Sequence, residues 1–140
     1  MSEISKERID KGFEQFCQMV GDSRAAEVRA EWHRISPEFE SIVLGIVAGE
    51  GWTRPGMDLR TRSLVTVAGL TALGRTRGLA LNIEMALRNG ASREEIREAI
   101  LQMGFYAGFP SAWEGLQIAA EVFQRLDASD PELSHSAGAD

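Results

Sequence analysis

The chain has 140 residues, of which 44% are hydrophobic, with one cysteine, two histidines and a formal net charge of −6. That is ample for a packed core of one domain and too apolar for a disordered chain. No apolar run approaches the roughly 20 residues of a membrane-spanning helix, and one cysteine excludes both an intrachain disulfide and a Cys-x-x-Cys thiol or zinc site.

The elements read as helices throughout. Apolar residues recur at i, i+3, i+4 and i+7, and period-2 alternation is nowhere sustained. Ile4, Ile9, Phe13, Phe16 and Met19 or Val20 form a first amphipathic helix ending near Gly21. Ala26, Val28, Trp32 and Ile35 mark a short second one. Ser36-Pro37-Glu38 is a helix start, with a hydroxyl cap, proline in the first turn and an acid at the positive end of the dipole. That helix carries Phe39, Ile42, Val43, Ile46 and Val47 and is expected to stop near Gly49. Gly51, Pro55 and Gly56 punctuate a loop from Gly49 to Met57.

Asp58 can cap the next helix, which runs through Leu59, Leu64, Val67, Leu70 and Leu73 to Gly74. With polar residues on few sides, it is expected to be central and buried. A helix from about Arg77 to Arg88 ends at Asn89-Gly90. Ser92 and Glu95 form a capping box opening a helix from Arg93 to Gly104 or beyond. Gly108, Phe109 and Pro110 break the chain, and Ser111 with Glu114 reads as a second capping box for a helix to about Leu126. The expected fold is all-α: a compact bundle of six to seven helices over residues 1–126. Residues 127–140 hold Asp127, Asp130, Glu132 and Asp140 and no Lys or Arg, and read as a disordered acidic tail. Setting those acids aside leaves a nearly balanced domain, with no electrostatic footprint for nucleic acid. The first ten residues are polar and lack an apolar signal core, so the cytoplasm is the expected location.

Few familiar chemistries fit. Only His33 and His135 are available as imidazoles, too few for a histidine metal site, and His33 reads as an ordinary, partly exposed helix residue. No Gly-rich phosphate loop lies between a strand and a helix. The unusual segment is Glu50-Gly51-Trp52-Thr53-Arg54-Pro55-Gly56, followed by Arg60-Thr61-Arg62-Ser63-Leu64. Glu50 can simply pair with Arg54 or Arg60, and Trp52 can plug the core beneath the turn. Alternatively, the arginines form a carboxylate-binding patch, because planar guanidinium grips carboxylate bidentately. Arg62 is the most suggestive, since it sits early in the most apolar helix, where an uncompensated charge is costly.

These residues, together with Arg88-Asn89-Gly90, Arg93-Glu94-Glu95-Ile96 and Tyr106-Ala107-Gly108-x-Pro110, resemble the carboxymuconolactone decarboxylase family, from about residue 8 to residue 125. The Trp-Thr-Arg-Pro-Gly block is similar to the decarboxylase branch, as opposed to the Cys-x-x-Cys alkylhydroperoxidase branch. The resemblance implies an alkylhydroperoxidase-like all-α subunit, no cofactor and no metal, and a homohexamer built as a trimer of dimers. It implies a small carboxylate or lactone substrate, with neither nucleic acid nor membrane as partner. The catalytic positions implied are Glu50, Asn82 and Glu114, and the substrate-binding ones Trp52, Arg54, Arg62, Tyr106 and Trp113, around one cavity. Family members commonly carry His where Asn82 stands, and some carry His at Glu114. The position of Trp113 is usually smaller or more polar. Glu114 also has a purely structural reading, as the third residue of its capping box. Three functions are consistent with these residues: a cofactor-independent decarboxylase of a 4-carboxymuconolactone-like acid, a diverged enzyme doing acid–base chemistry on another cyclic biosynthetic intermediate, and a non-catalytic homo-oligomeric binding protein.

Overall fold

A computed structural model describes residues 3–129. Its elements are seven α-helices and one π-helical stretch, with no strand among the described residues, so the chain is all-α as its periodicity predicts. The chain divides into two compact units, one up to Asp58 and one from Leu59 onward.

The first unit holds α1 (Lys6–Val20), α2 (Asp22–Ile35) and α3 (Pro37–Ile42), which continues into a π-helix at Val43–Gly51. Helix α1 starts later than the apolar spacing suggests. Ser5 is its cap, accepting from the Arg8 amide, and Ile4 lies outside it. Gly21, at φ 89°, separates α1 from α2 in a single residue. Ser36 caps α3 as expected, its Oγ accepting from the Phe39 amide at 3.2 Å. The helix ends at Gly51, close to the expected stop near Gly49, but departs from expectation by widening from Val43 onward, with the Trp52 amide donating to the Val47 carbonyl five residues back.

Small residues permit a close approach to this wide turn. A Cβ added to Gly12 of α1 would lie 1.6 Å from the Leu44 carbonyl oxygen. A Cβ on Gly45 would run into the Ile4 side chain at 2.5 Å. Helix α1 therefore lies backbone against backbone on the π-helix, and Phe16, Met19, Val20, Ala25, Val28, Leu44 and Ala48 are buried in this unit.

The second unit holds α4 (Leu59–Leu73), α5 (Thr76–Arg88), α6 (Arg93–Ala107) and α7 (Phe109–Ser129). Helix α4 packs on each of the other three. It is central to its unit but not buried all round, as its composition suggested. Ser63, Val67 and Thr71 are buried, whereas Val65 and Leu73 face solvent. The core joins Val67 to Leu79, Ile83, Ile96, Ile100, Val122 and Phe123. Gly74, at φ 69°, ends α4, and the Arg75 amide closes back on the Leu70 carbonyl at 3.0 Å.

The Ser92–Glu95 capping box is present, both bonds at 3.0 Å. The second expected box is not: α7 begins at Phe109, so Ser111 and Glu114 already lie within it. Gly108, at φ 100°, turns the chain in one residue, and its carbonyl accepts from the Ser111 amide. Pro110 fits there because first-turn amides have no helical acceptor. Helix α7 also runs on through Ser129, and Asp127 receives two hydrogen bonds from Arg93, at 2.6 and 3.2 Å. These bonds hold the Asp127 carboxyl below the usual carboxylate range. The rest of the expected tail, from Asp130, lies outside the described residues. No helix among the described residues is long and apolar enough to cross a membrane.

Candidate active site

Glu50, Trp52 and Arg54 belong to the first unit. Glu50 is the penultimate residue of the π-helix, and Trp52, half-buried, caps that helix with its amide. Thr53 folds the chain over, its hydroxyl donating to the Gly49 carbonyl at 2.7 Å. Arg54 is exposed on the loop. Glu50 is not sunk in a dry pocket. Its side chain is 59% exposed and paired with Arg8 of α1, a partner that lies 42 residues away in sequence and that local spacing does not reveal.

Arg62, Asn82, Tyr106, Trp113 and Glu114 belong to the second unit. Arg62 is half-buried in the first turn of α4, with its Nε out of reach of solvent. The next residue, Ser63, is buried and accepts from Asn89 Nδ2 at 2.9 Å. A Cβ on Gly78 would meet Leu70 at 3.9 Å. These two contacts define an antiparallel register that puts Asn82 opposite Val67, roughly one and a half turns of α4 from Arg62. Asn82 is half-buried, and its Nδ2 donates to the Gly78 carbonyl on its own helix at 2.8 Å. One N–H is thus committed, and the amide keeps a second N–H and its oxygen.

Glu114 is exposed. Its neighbour Gly115 carries the Thr71 side chain against bare backbone. Thr71 stands nine residues past Arg62, about 13 Å along α4. Within this unit the register therefore sets Asn82 between the two, five residues of α4 past Arg62 and four short of Thr71, where α7 brings Gly115. Tyr106 and Trp113 are 82% and 75% exposed. They flank Phe105 and Phe109, which meet edge to face at 5.3 Å.

Other polar groupings escape a motif-based reading. In the first unit Glu40 is buried, bonded by Arg29 Nε at 2.7 Å, with His33 Nδ1 at 2.6 Å on its other oxygen. Burial pushes the Glu40 carboxyl up, but the bonds from Arg29 and His33 outweigh it and hold the group below the usual range. The signal was legible in principle, because Glu40 shares a stripe with Leu44 and Ala48 at four-residue spacing, and both are buried. His33 itself is exposed, as expected of an ordinary helix residue. An open groove of about 1210 Å³ runs beside Lys11, Phe13, Cys17 and Asp22, and none of the expected site residues lines it. Among the described residues, no group of three or more His, Cys, Asp and Glu side chains is placed to hold a metal ion.

Comparison with known proteins decides the family. Residues 37–121 match the model of the carboxymuconolactone decarboxylase family. The chain is also 32% identical to 4-carboxymuconolactone decarboxylase of Acinetobacter baylyi, over 92% of this chain and 96% of that one. The chain belongs to the carboxymuconolactone decarboxylase family. It is 38% identical to nitrosuccinic acid decarboxylase of Metarhizium robertsii over 56% of this chain and 54% of that one. An uncharacterised 15.0 kDa protein of Paracoccus denitrificans is 32% identical over 76% of each chain. Within this family, the loop that closes the first unit and the start of α4 carry the Glu50-x-Trp52-Thr53-Arg54-Pro55-Gly56 and Arg60-x-Arg62 blocks.

Proposed function

We propose that the chain is a carboxy-lyase acting, without a cofactor, on a carboxylated lactone or related cyclic acid of the 4-carboxymuconolactone kind. The observation that carries this reading is the identity to a 4-carboxymuconolactone decarboxylase along nearly the whole of both chains. The chemistry asks little of the protein. In such a substrate the departing carboxylate is conjugated through the ring alkene to the lactone carbonyl. Loss of CO2 leaves a dienolate that the lactone itself delocalises. What remains is to hold carboxylates, stabilise an oxyanion and deliver a proton to carbon.

Arg62 and Arg54 are the carboxylate grips, because a guanidinium fork matches a carboxylate. Asn82 donates its uncommitted N–H to the enolate oxygen. Glu50 handles the proton, with Glu114 as the rival carboxylate. Trp52, Tyr106 and Trp113 line the ring of the substrate. The working form is a homohexamer, a trimer of dimers, which buries the apolar faces that a single copy leaves exposed.

The test is turnover of 4-carboxymuconolactone, followed as CO2 release, by the natural chain and by two variants. The natural chain turns it over, and Asn82→Ala loses roughly 10²–10³ in rate, the usual cost of an oxyanion donor. Asn82→His, which restores the imidazole common in the family, raises the rate. No turnover by either the natural chain or Asn82→His overturns the lactone reading. A second reading, an acid other than a lactone on the same scaffold, is favoured by the relative named nitrosuccinic acid decarboxylase. In a nitro-substituted acid the nitro group accepts the electron pair that the lactone carbonyl accepts here. Release of CO2 from nitrosuccinic acid alone would establish it.

A further inference from the structure

The ion pair between Arg8 and Glu50 joins two closely packed backbones although its side chains are exposed. Both side chains are about half exposed, 46% and 59%. Exposed pairs of this kind contribute little to stability, so holding the fold together is a poor explanation of its presence. Its geometry is nevertheless set from three sides. Ser5 caps α1 through the Arg8 amide, which fixes the backbone of Arg8. Gly12, one turn further on, lies against the Leu44 carbonyl with no room for a Cβ. Gly49, the residue before Glu50, would set a Cβ 3.2 Å from the Leu44 carbonyl oxygen and 3.5 Å from the Arg8 carbonyl oxygen. Backbone contacts thus place residues 8 and 50 before their side chains meet.

We infer that Arg8 is the positioning residue of Glu50: it orients the Glu50 carboxylate for proton transfer during decarboxylation. This rests on the reading of Glu50 as the proton-handling group. A free glutamate on a surface samples many rotamers, and fixing one costs side-chain entropy. The guanidinium meets that cost before substrate arrives. It also leaves the carboxylate open to solvent on its other side, where a substrate can reach it. Misplacement of a reacting group by 1 Å can cost 10²-fold in rate, so loss of Arg8 acts on kcat.

The experiment compares Arg8→Ala, Arg8→Lys, Glu50→Gln and the double variant Arg8→Ala/Glu50→Gln, using whichever acid the natural chain decarboxylates. Arg8→Ala lowers kcat about 10–100-fold with KM within about threefold, and added methylguanidinium restores part of the rate. Arg8→Lys falls between Arg8→Ala and the natural chain. In the double variant the two losses do not add, because each removes the same interaction. Melting temperatures of Arg8→Ala and the natural chain stay within a few degrees, consistent with an exposed pair. Full kcat in Arg8→Ala beside an inactive Glu50→Gln overturns the inference while leaving Glu50 in its role. So does a raised KM with unchanged kcat, which would make Arg8 a substrate grip. Full activity in Glu50→Gln removes the role of Glu50 and the inference with it.

Discussion

Glu40 shows how a single side chain ties sequence to stability. It is buried, yet both oxygens are engaged, one by Arg29 and one by His33. The residues it joins belong to α2 and α3, so the pair of bonds pins those helices to each other. The Glu40 carboxyl is held below the usual range because the Arg29 and His33 bonds outweigh burial. A depressed folded-state value means that the carboxylate contributes stability above the ordinary carboxylate range. That contribution is lost as pH falls through the depressed value. Glu40→Gln keeps the shape and removes the charge, and is expected to cost about 1.5–3 kcal/mol at pH 7, as charge-assisted bonds do. Denaturant titrations should show the gap between variant and natural chain closing as pH falls below the carboxylate range. A gap that persists unchanged at acid pH would refute it. The Cys17 thiol moves the opposite way. Burial pushes it up, and the neighbouring Asp22 adds to the effect, so thiol-blocking reagents at neutral pH should react with it slowly.

At the scale of elements, local signals and contact-driven ones separate cleanly. Ser36 and the Ser92–Glu95 box were legible because a cap needs only its own next three residues. Ser111 and Glu114 carried the same spacing and misled, because Gly108 had already turned the chain and started α7. The π-helix was illegible, since its apolar stripe over nine residues reads equally well as α. The wide turn also lies against α1 at Gly12, a contact from more than thirty residues away that local spacing does not reveal. Gly12→Ala is therefore expected to be severe, about 3 kcal/mol or more, because its new Cβ meets backbone and not a flexible side chain. A shift in the denaturation midpoint measures this. An Ala variant as stable as the natural chain would mean that α1 does not sit on the π-helix.

At the scale of the whole molecule, the break between the two units at Asp58 falls just after the loop that Gly51, Pro55 and Gly56 announce. The family was legible from short motifs, because a block such as Glu50-x-Trp52-Thr53-Arg54-Pro55-Gly56 is read along the chain without knowledge of any spatial partner, and it falls within the residues that match the family model. Partners were not: Arg8 with Glu50 and Ser63 with Asn89 are pairings across 42 and 26 residues. Leu101, Phe105, Tyr106, Phe109 and Trp113 are all exposed in the single chain, an apolar grouping of the sort that monomers seldom leave to water. Light scattering should give about six times the 15.4 kDa chain mass; a monomer at micromolar concentration would defeat the hexamer. The same feature makes the protein its own optical reporter. Of three indoles, Trp32 lies 5.2 Å from the Phe16 ring and is half-buried, Trp52 is half-buried, and Trp113 stands in water. Iodide should quench the red-edge emission of Trp113 first, and whatever comes to cover that side chain should turn its fluorescence blue and out of the quencher's reach.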